Sequence, residues 1–510
     1  MRSAALRLLF VAPECHPLAK AGGLGDAVAA LVKTLARRGH DVRVLLPRYG
    51  WIDPVALGAR ALGPIRVPMG GGVEQYGALW LAALPGGGSV YLLEHDDFFA
   101  RGGIYGDGPA AAGDVWRFAF LSRAALQIAL EFDFVPDVVH VHDWPTALAA
   151  AYLEQLRPSE PVLRRTASVL TIHNVEYQGR FSAEAWPYLG LPADQLQPGR
   201  LEDLGGLNLL KGGIAAADAI TTVSPTHARD MQTPAGGHGL EAFLARRASS
   251  ITGILNGVDD EVWDPHVDPF VPRRFDARDL RGKLACKRAL QTAFALEQRD
   301  DVPVLGIVSR FAAQKGLDLL RGALPAVLEA GEAQLVVQGA GEPALEQFFA
   351  ALGRRYAGRA GVRIGYSEEG AHRIHGGADF FLMPSRYEPC GLAQMYAMRY
   401  GTLPIVRATG GLADTVSDYD ESTGDGTGFV FLAPTEAACG AALRRAIETW
   451  YVRPAHVAKL RRHAMARRFS WDDSAARLEA VYDSIVDRPA AGAHEPAPKD
   501  VPNRTRRVLG

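Results

Sequence analysis

Short apolar runs alternate along this chain with helix-length amphipathic segments. Arg7–Ala12 reads as a strand, followed by a glycine-rich turn and a helix from about Leu24 to Arg38. Val42–Leu46 and Asp137–Val141 continue as strands, and a helix follows near Thr146–Gln155. Ser168–Ile172 and Ala219–Val223 extend this first series. A second series opens with strand Val304–Val308, helix Gly316–Ala330, strand Gln334–Val337 and helix Pro343–Leu352. Strands near Val362–Ile364, Phe380–Met383 and Leu403–Val406 follow, with a helix from Gly391 to Arg399 between the last two. Strands apolar on both faces and separated by helices predict parallel, doubly wound sheets. Two such series predict two α/β domains, residues 1–264 and 265–470, divided in the proline-containing, mixed-charge stretch Asp264–Asp276. From Asp487 onward Pro, Ala, Gly and Arg dominate without apolar periodicity, which predicts a flexible tail over 487–510.

A length of 510 residues suits two compact domains. Lys and Arg total 55 against 57 Asp and Glu, a formal net charge of -2. That balance provides no general field for nucleic acid or an anionic membrane, so a bound phosphate must be met by a few local cations. No apolar run is long enough for a transmembrane helix. The stretch Leu6–Ala12 is interrupted by Arg7, is followed by Glu14 and Lys20 and has no small-residue cleavage pattern, so it reads as a buried strand and not as a signal peptide. Cys15, Cys286, Cys390 and Cys439 are scattered and form no CxxC pair. This argues against a disulfide framework and a cysteine zinc site, and suits a reducing cytoplasm.

Binding sites of doubly wound sheets lie beyond the carboxyl ends of their strands, which narrows the search to those loops and to the cleft between the domains. Lys20-Ala21-Gly22-Gly23-Leu24-Gly25-Asp26 follows the first strand and opens the first helix. Its glycines suit close backbone approach to an anion at a helix N-terminus, or simply a tight turn; the spacing is neither GxGxxG nor a Walker motif. His140-Val141-His142-Asp143-Trp144 ends another strand. Alternate histidines share a face, and the cluster reads as a substrate-positioning group in preference to a metal site that lacks a third ligand. Thr171-Ile172-His173-Asn174 ends the next strand in the same manner. In the second series Arg310 and Lys315 stand five residues apart beside a predicted helix N-terminus, a diphosphate clamp or a pair of solvated surface charges. Pro384-Ser385-Arg386-Tyr387-Glu388-Pro389-Cys390-Gly391-Leu392 puts the Glu388 carboxylate at a strand end, where it can accept sugar hydroxyls or stabilise a cationic centre. Thr409-Gly410-Gly411-Leu412-Ala413-Asp414 adds a further glycine-rich turn.

In this order the motifs resemble the bacterial glycogen synthase family and its plant starch synthase relatives. Leu209-Leu210-Lys211-Gly212-Gly213, Ala217–Pro225 and Ile254–Asp259 fit the same family, and the resemblance spans roughly residues 6–485. It implies the GT-B fold, with two Rossmann-like domains facing a deep cleft and a C-terminal helix around 471–486 crossing back onto the first domain. It implies a retaining transfer of glucose from ADP-glucose to a glycogen or malto-oligosaccharide acceptor, with no metal, cofactor, nucleic acid or membrane, by a monomer or weak homo-oligomer in the cytoplasm.

Carried over by position, Lys20 and the Gly22-Gly23 turn resemble the donor-phosphate loop, with Asp26 just behind it. Asp143 resembles the strand-end carboxylate of the family. His173 is implied beside the donor glucose with its carbonyl near the anomeric carbon, and Asn174 follows it. Asn256 resembles a sugar-hydroxyl contact and Tyr366 an adenine-stacking ring. Arg310 and Lys315 resemble the diphosphate pair, and Glu388 the essential carboxylate, with Cys390, Gly391 and Leu392 in its loop. The chain departs from the family at Ala21 and Ala393, where Thr is usual, and at Glu241, where Asp is usual. The rival readings are a different GT-B enzyme, such as a sugar-nucleotide epimerase or a glucan phosphorylase, which needs a lysine-bound pyridoxal phosphate, and a silent glucan-binding protein. A nicotinamide oxidoreductase is disfavoured by the absence of GxGxxG with a suitably placed acid.

Overall fold

The computed structural model describes residues 5–100, 102–106 and 108–486. Two parallel sheets organise the chain. The first has nine strands in the order Ile251–Gly253, Ala219–Thr222, Ala167–Ile172, Val138–His142, Arg7–Val11, Asp41–Pro47, Ser89–Glu94, Glu74–Ala83 and Arg60–Pro68. The first seven pair in parallel, and the last two close the edge as an antiparallel meander. The second sheet is parallel throughout, in the order Ala360–Ile364, Gln334–Gly341, Val304–Phe311, Phe380–Met383, Leu403–Arg407 and Phe429–Phe431. Its central strands are buried on both faces, as the unbroken apolar runs require. A small antiparallel sheet, Arg180–Phe181 with Gly206–Asn208 and Glu202–Asp203, sits beside the first.

Strand order reverses direction at Arg7–Val11 in one sheet and at Val304–Phe311 in the other. Each reversal opens a crevice at the carboxyl ends of two neighbouring strands. There lie the loop 12–22 with the short helix Asp143–Thr146 in the first sheet, and the turn 312–316 with the loop 384–392 in the second. They carry most of the expected chemistry. The two crevices adjoin: a Cβ placed on Gly23 would lie 3.9 Å from Leu392 Cδ1.

The helix Trp471–Ile485 returns to the first sheet's side. Its Ala475, Leu478, Val481 and Tyr482 join the core built on that sheet. Glu479 accepts from Arg38 Nε and Nη2, each at 2.7 Å, and the Tyr482 hydroxyl lies 2.7 Å from His140 Nδ1. The tail from Asp487 lies outside the described residues.

Several elements differ from the pattern-based expectation. The helix expected over 316–330 is two pieces, a 3₁₀ turn Leu317–Leu320 and a helix Ala323–Glu329. Pro325 has no N–H, so it is accommodated in the first turn of a new helix and not inside a continuous one. Lys315 consequently opens no α-helix. It ends the 3₁₀ turn Ala313–Lys315, and Gly316 follows in the left-handed region with φ 60°. The helix expected from Gly391 starts at Ala393, because Gly391 itself is left-handed with φ 69°.

Candidate active site

On the second-sheet side, Ser309, Arg310, Lys315, Pro384, Ser385, Glu388, Gly391, Leu392 and Ala393 are among the residues lining a cavity of about 200 Å³. Strand Val304–Phe311 runs three residues past its expected end, which carries Arg310 within the sheet to the cavity mouth. Arg310 is exposed and makes no ion pair among the described residues. Lys315 Nζ donates to Glu388 Oε2 at 2.6 Å, and Ser385 Oγ donates to the same oxygen at 3.0 Å. Glu388 is buried, so the carboxylate is held in one orientation by a cation and a hydroxyl.

Its backbone is fixed as firmly. The Glu388 carbonyl accepts from Gly411 N–H at 3.2 Å. A Cβ on Gly410 would come within 2.0 Å of that carbonyl, so the glycine is a steric requirement. On the other side Gln314 Nε2 donates to the Tyr387 carbonyl at 3.1 Å, and Arg386 N–H donates to the Gln314 carbonyl at 2.9 Å.

On the first-sheet side, Asp143 follows strand Val138–His142 in the left-handed region with φ 55°, a conformation that costs a non-glycine residue free energy and aims its carboxylate at the next strand end. Asp143 Oδ1 accepts the backbone N–H of His173 at 2.7 Å and of Asn174 at 3.3 Å. Burial pushes the Asp143 carboxyl up to about 7, against the opposing pull of these two N–H groups. His142 Nδ1 lies 3.0 Å from His173 Nε2, so one ring supplies the shared proton. Burial holds His173 down to about 4 and His140 to about 3, which keeps both imidazoles neutral. Asn174 uses its side-chain oxygen locally, accepting from Glu176 N–H at 3.0 Å.

Lys20 and Asp26 form an ion pair at 2.8 Å across the glycine turn. Tyr366 is exposed, and the charges of Lys20 and Asp26 bear on its hydroxyl, which places it at the same mouth from the second domain. Asn256 is half-buried, and its backbone N–H bonds the buried Cys390 thiol, which joins the two halves at that point. The structure therefore gathers Arg310, Lys315, Glu388, Gly391 and Leu392 around one cavity and Asp143, His173 and Asn174 around a second cluster. Lys20, Gly22, Gly23, Asp26 and Tyr366 stand at the junction.

Glu14 supports the glycine turn from outside every sequence motif. Buried just after the first strand, it accepts Ala21 N–H at 2.7 Å and Gly22 N–H at 2.9 Å on one oxygen, and the Tyr105 hydroxyl at 2.7 Å on the other. In sequence it is a lone acid in an apolar run; the only signal is that a charge there must have partners. Ser385 lies inside the Pro384–Leu392 motif, but its hydrogen bond to Glu388 is visible only in the fold. Among the described residues no group of three or more His, Cys, Asp or Glu side chains is arranged to hold a metal ion. No described helix is long and apolar enough to cross a membrane.

Two facing Rossmann-like units, a cation-rich cavity and a glycine loop at the strand reversals define a glycosyltransferase of the GT-B class. Residues 7–246 match the starch synthase catalytic domain model, and residues 291–465 the model for glycosyl transferases group 1. The chain is 47% identical over 483 residues to a glycogen synthase of Anaeromyxobacter dehalogenans, covering 94% of this chain and 99% of that one. It is 45% identical over 480 residues to glycogen synthase 1 of Geobacter metallireducens, covering 94% and 95%. The solved catalytic domain of starch synthase IV from Arabidopsis thaliana, bound to ADP and acarbose, superposes with a TM-score of 0.86 at 36% identity, covering 95% of this chain and all of that one. This chain belongs to the glycogen and starch synthase family of retaining glycosyltransferases.

Proposed function

We propose that this chain transfers glucose from ADP-glucose to the non-reducing 4-hydroxyl of an α-1,4-glucan, retaining configuration and releasing ADP. The observation that carries the reading is the convergence of Arg310, Lys315 and the Glu388 carboxylate on one cavity opposite the Asp143–His173 cluster. Residues 265–470 serve as the nucleotide-sugar domain and 1–264 as the glucan side. ADP in the Arabidopsis relative supports an ADP-linked donor. The reducing cytoplasm suits four cysteines that are all unpaired and buried.

Arg310 and Lys315, with the N–H groups of the Lys20–Gly23 turn, stabilise the diphosphate as the bond from glucose C1 to its phosphate oxygen breaks. Lys315 shifts part of its charge from Glu388 to the departing phosphate, while Glu388 holds the sugar and stabilises the oxocarbenium-like centre. The acceptor hydroxyl attacks from the face the phosphate leaves, and its proton passes to the leaving phosphate oxygen. Asp143 sets the His173 peptide so that its carbonyl faces the anomeric carbon, and Asn256 contacts a sugar hydroxyl. Tyr366 stacks on the adenine.

The test is glucose transfer to glycogen by the purified protein, with ADP-glucose and UDP-glucose compared at matched concentrations in EDTA. Turnover with ADP-glucose supports the reading. Preference for UDP-glucose overturns the donor, and no transfer from either by folded protein overturns the synthase assignment.

A further inference from the structure

The segment Ser224–Asp230 of the first domain is bonded to the second domain at four points. Ser224 Oγ donates to the Pro389 carbonyl at 2.6 Å. Thr226 donates to Asp414 through both its N–H, at 2.8 Å, and its hydroxyl, at 2.7 Å. Asp230 Oδ2 accepts Gly410 N–H at 3.1 Å. The fourth point is between side chains: the Tyr387 hydroxyl lies 2.6 Å from His227 Nε2.

The proton order of this last contact follows from its neighbours. Thr222 Oγ1 donates to the Ile172 carbonyl at 2.7 Å, so toward His227 Nδ1, 2.6 Å away, it is an acceptor. His227 therefore carries its proton on Nδ1 and presents Nε2 as the acceptor for Tyr387. The relay runs from Tyr387, whose next residue is Glu388, to the carbonyl of Ile172, whose next residue is His173. It spans the two halves of the site through groups that are each one peptide from an expected reacting-centre contact. Burial keeps His227 neutral, down to about 3, with the nearby His238 and His173 rings opposing a positive charge. Burial above all, with the charges of Asp143, Glu176 and Asp230 adding to it, raises the Tyr387 hydroxyl against the pull of the Val175 N–H and favours its remaining a donor. The ring of Tyr387 is further seated against His238, with centroids 5.0 Å apart.

We infer that His227 is a positioning residue for the transfer reaction: by accepting the Tyr387 hydrogen bond it sets the Glu388 carboxylate of the second domain in register with the His173 peptide of the first. The inference rests on the proposed role of Glu388. A displacement of about 1 Å at a reacting group can cost on the order of a hundredfold in rate, so a strut of this kind has a kinetic signature.

The experiment compares His227→Phe, His227→Gln, Tyr387→Phe and the double variant His227→Phe/Tyr387→Phe in glucose transfer to glycogen, each relative to the parent enzyme. Glutamine puts an amide carbonyl near the position of Nε2 and keeps an acceptor; phenylalanine keeps the bulk and removes it. The expected result is kcat lowered about tenfold or more in His227→Phe with the donor KM little changed, and restored to within about threefold in His227→Gln. The double variant should lose no more than Tyr387→Phe alone, because that change already removes the bond to His227 together with the acceptor of the Val175 N–H. If His227→Phe fails to fold because it strands the buried Tyr387 hydroxyl, the double variant, which has no unpaired hydroxyl there, still reads the strut through its lowered kcat. Equal activity of the Phe and Gln variants, additive losses, or full kcat in the double variant overturns the inference. An inactive parent enzyme signals failure of the proposed function instead.

Discussion

Lys315 Nζ stands 2.6 Å from Glu388 Oε2, so the cation expected at the diphosphate and the carboxylate expected at the glucose are bonded to each other. Lys20 and Asp26 repeat the arrangement on the facing loop at 2.8 Å. Arg310 alone of the three cations makes no ion pair among the described residues. On the proposed donor role of these cations, a diphosphate has one unpaired guanidinium and two ammonium groups already oriented by carboxylates to bind.

Glu388→Gln tests the carboxylate. The amide keeps the shape and the contact with Ser385 but removes the charge proposed to stabilise the oxocarbenium-like centre. We expect kcat to fall by more than about a hundredfold, the scale of losing one preorganised electrostatic contact. The donor KM should change far less, because the Lys315 ammonium is then left wholly to the diphosphate. Steady-state kinetics with ADP-glucose settle the matter, and near-normal turnover refutes the assignment.

Glu14→Ala tests the support of the glycine loop. The carboxylate fixes the N–H groups of Ala21 and Gly22, and so the course of the turn between Lys20 and Gly23. Without it the loop must be ordered on binding, and ADP affinity should fall about tenfold, roughly 1.4 kcal/mol. Calorimetric titration with ADP reads this directly; an unchanged Kd would mean that the loop is held by other contacts.

The alternation of strands and helices was legible because parallel strands buried on both faces leave unbroken apolar runs, and because helices such as Gly23–Arg37 bury one stripe. The edge meander over 60–94 was not. Its strands are partly exposed, include Gly63 and Pro64, and draw their order from pairing with Ser89–Glu94 and not from local pattern. At the site, strand-end histidines and glycine turns were visible as motifs. Glu14 and the His227–Tyr387 bond were not, because each depends on a partner far along the chain that only the fold supplies.

Asp143 carries a pH prediction with a definite sign. Its folded value of about 7 lies above the ordinary carboxylate value, so between about pH 4 and 7 the native state holds a proton that the unfolded chain has released. Its contribution to stability therefore declines as pH rises through that window. Asp143→Asn should remove the decline and be at least as stable as the parent at pH 8, while losing about tenfold or more in kcat, since an amide orients the His173 peptide less strongly. The acid limb of kcat near pH 7 should disappear with it. The difference in melting temperature between variant and parent from pH 5 to 8, with kcat over the same range, decides this; a difference that does not change with pH would remove Asp143 as the cause.

The returning helix adds a pH effect of opposite sign. His140 is fully buried between the Tyr482 hydroxyl at 2.7 Å and Thr171 Oγ1 at 2.6 Å, and burial lowers it to about 3. An unfolded histidine takes up a proton near pH 6.5, so stability from the neutral ring is complete above that value and is lost as pH falls toward the folded value. At pH 5 the loss is roughly 2 kcal/mol for such a group. His140→Gln should consequently lose less stability than the parent between pH 7.5 and 5, though it starts lower. Tyr482→Phe keeps the titrating ring and removes only its partner, so it should cost about 1 kcal/mol at both pH values without changing the slope. Urea midpoints of the three proteins at the two pH values separate the cases. If Tyr482→Phe abolished the pH dependence, the effect would belong to docking of the helix and not to the buried imidazole.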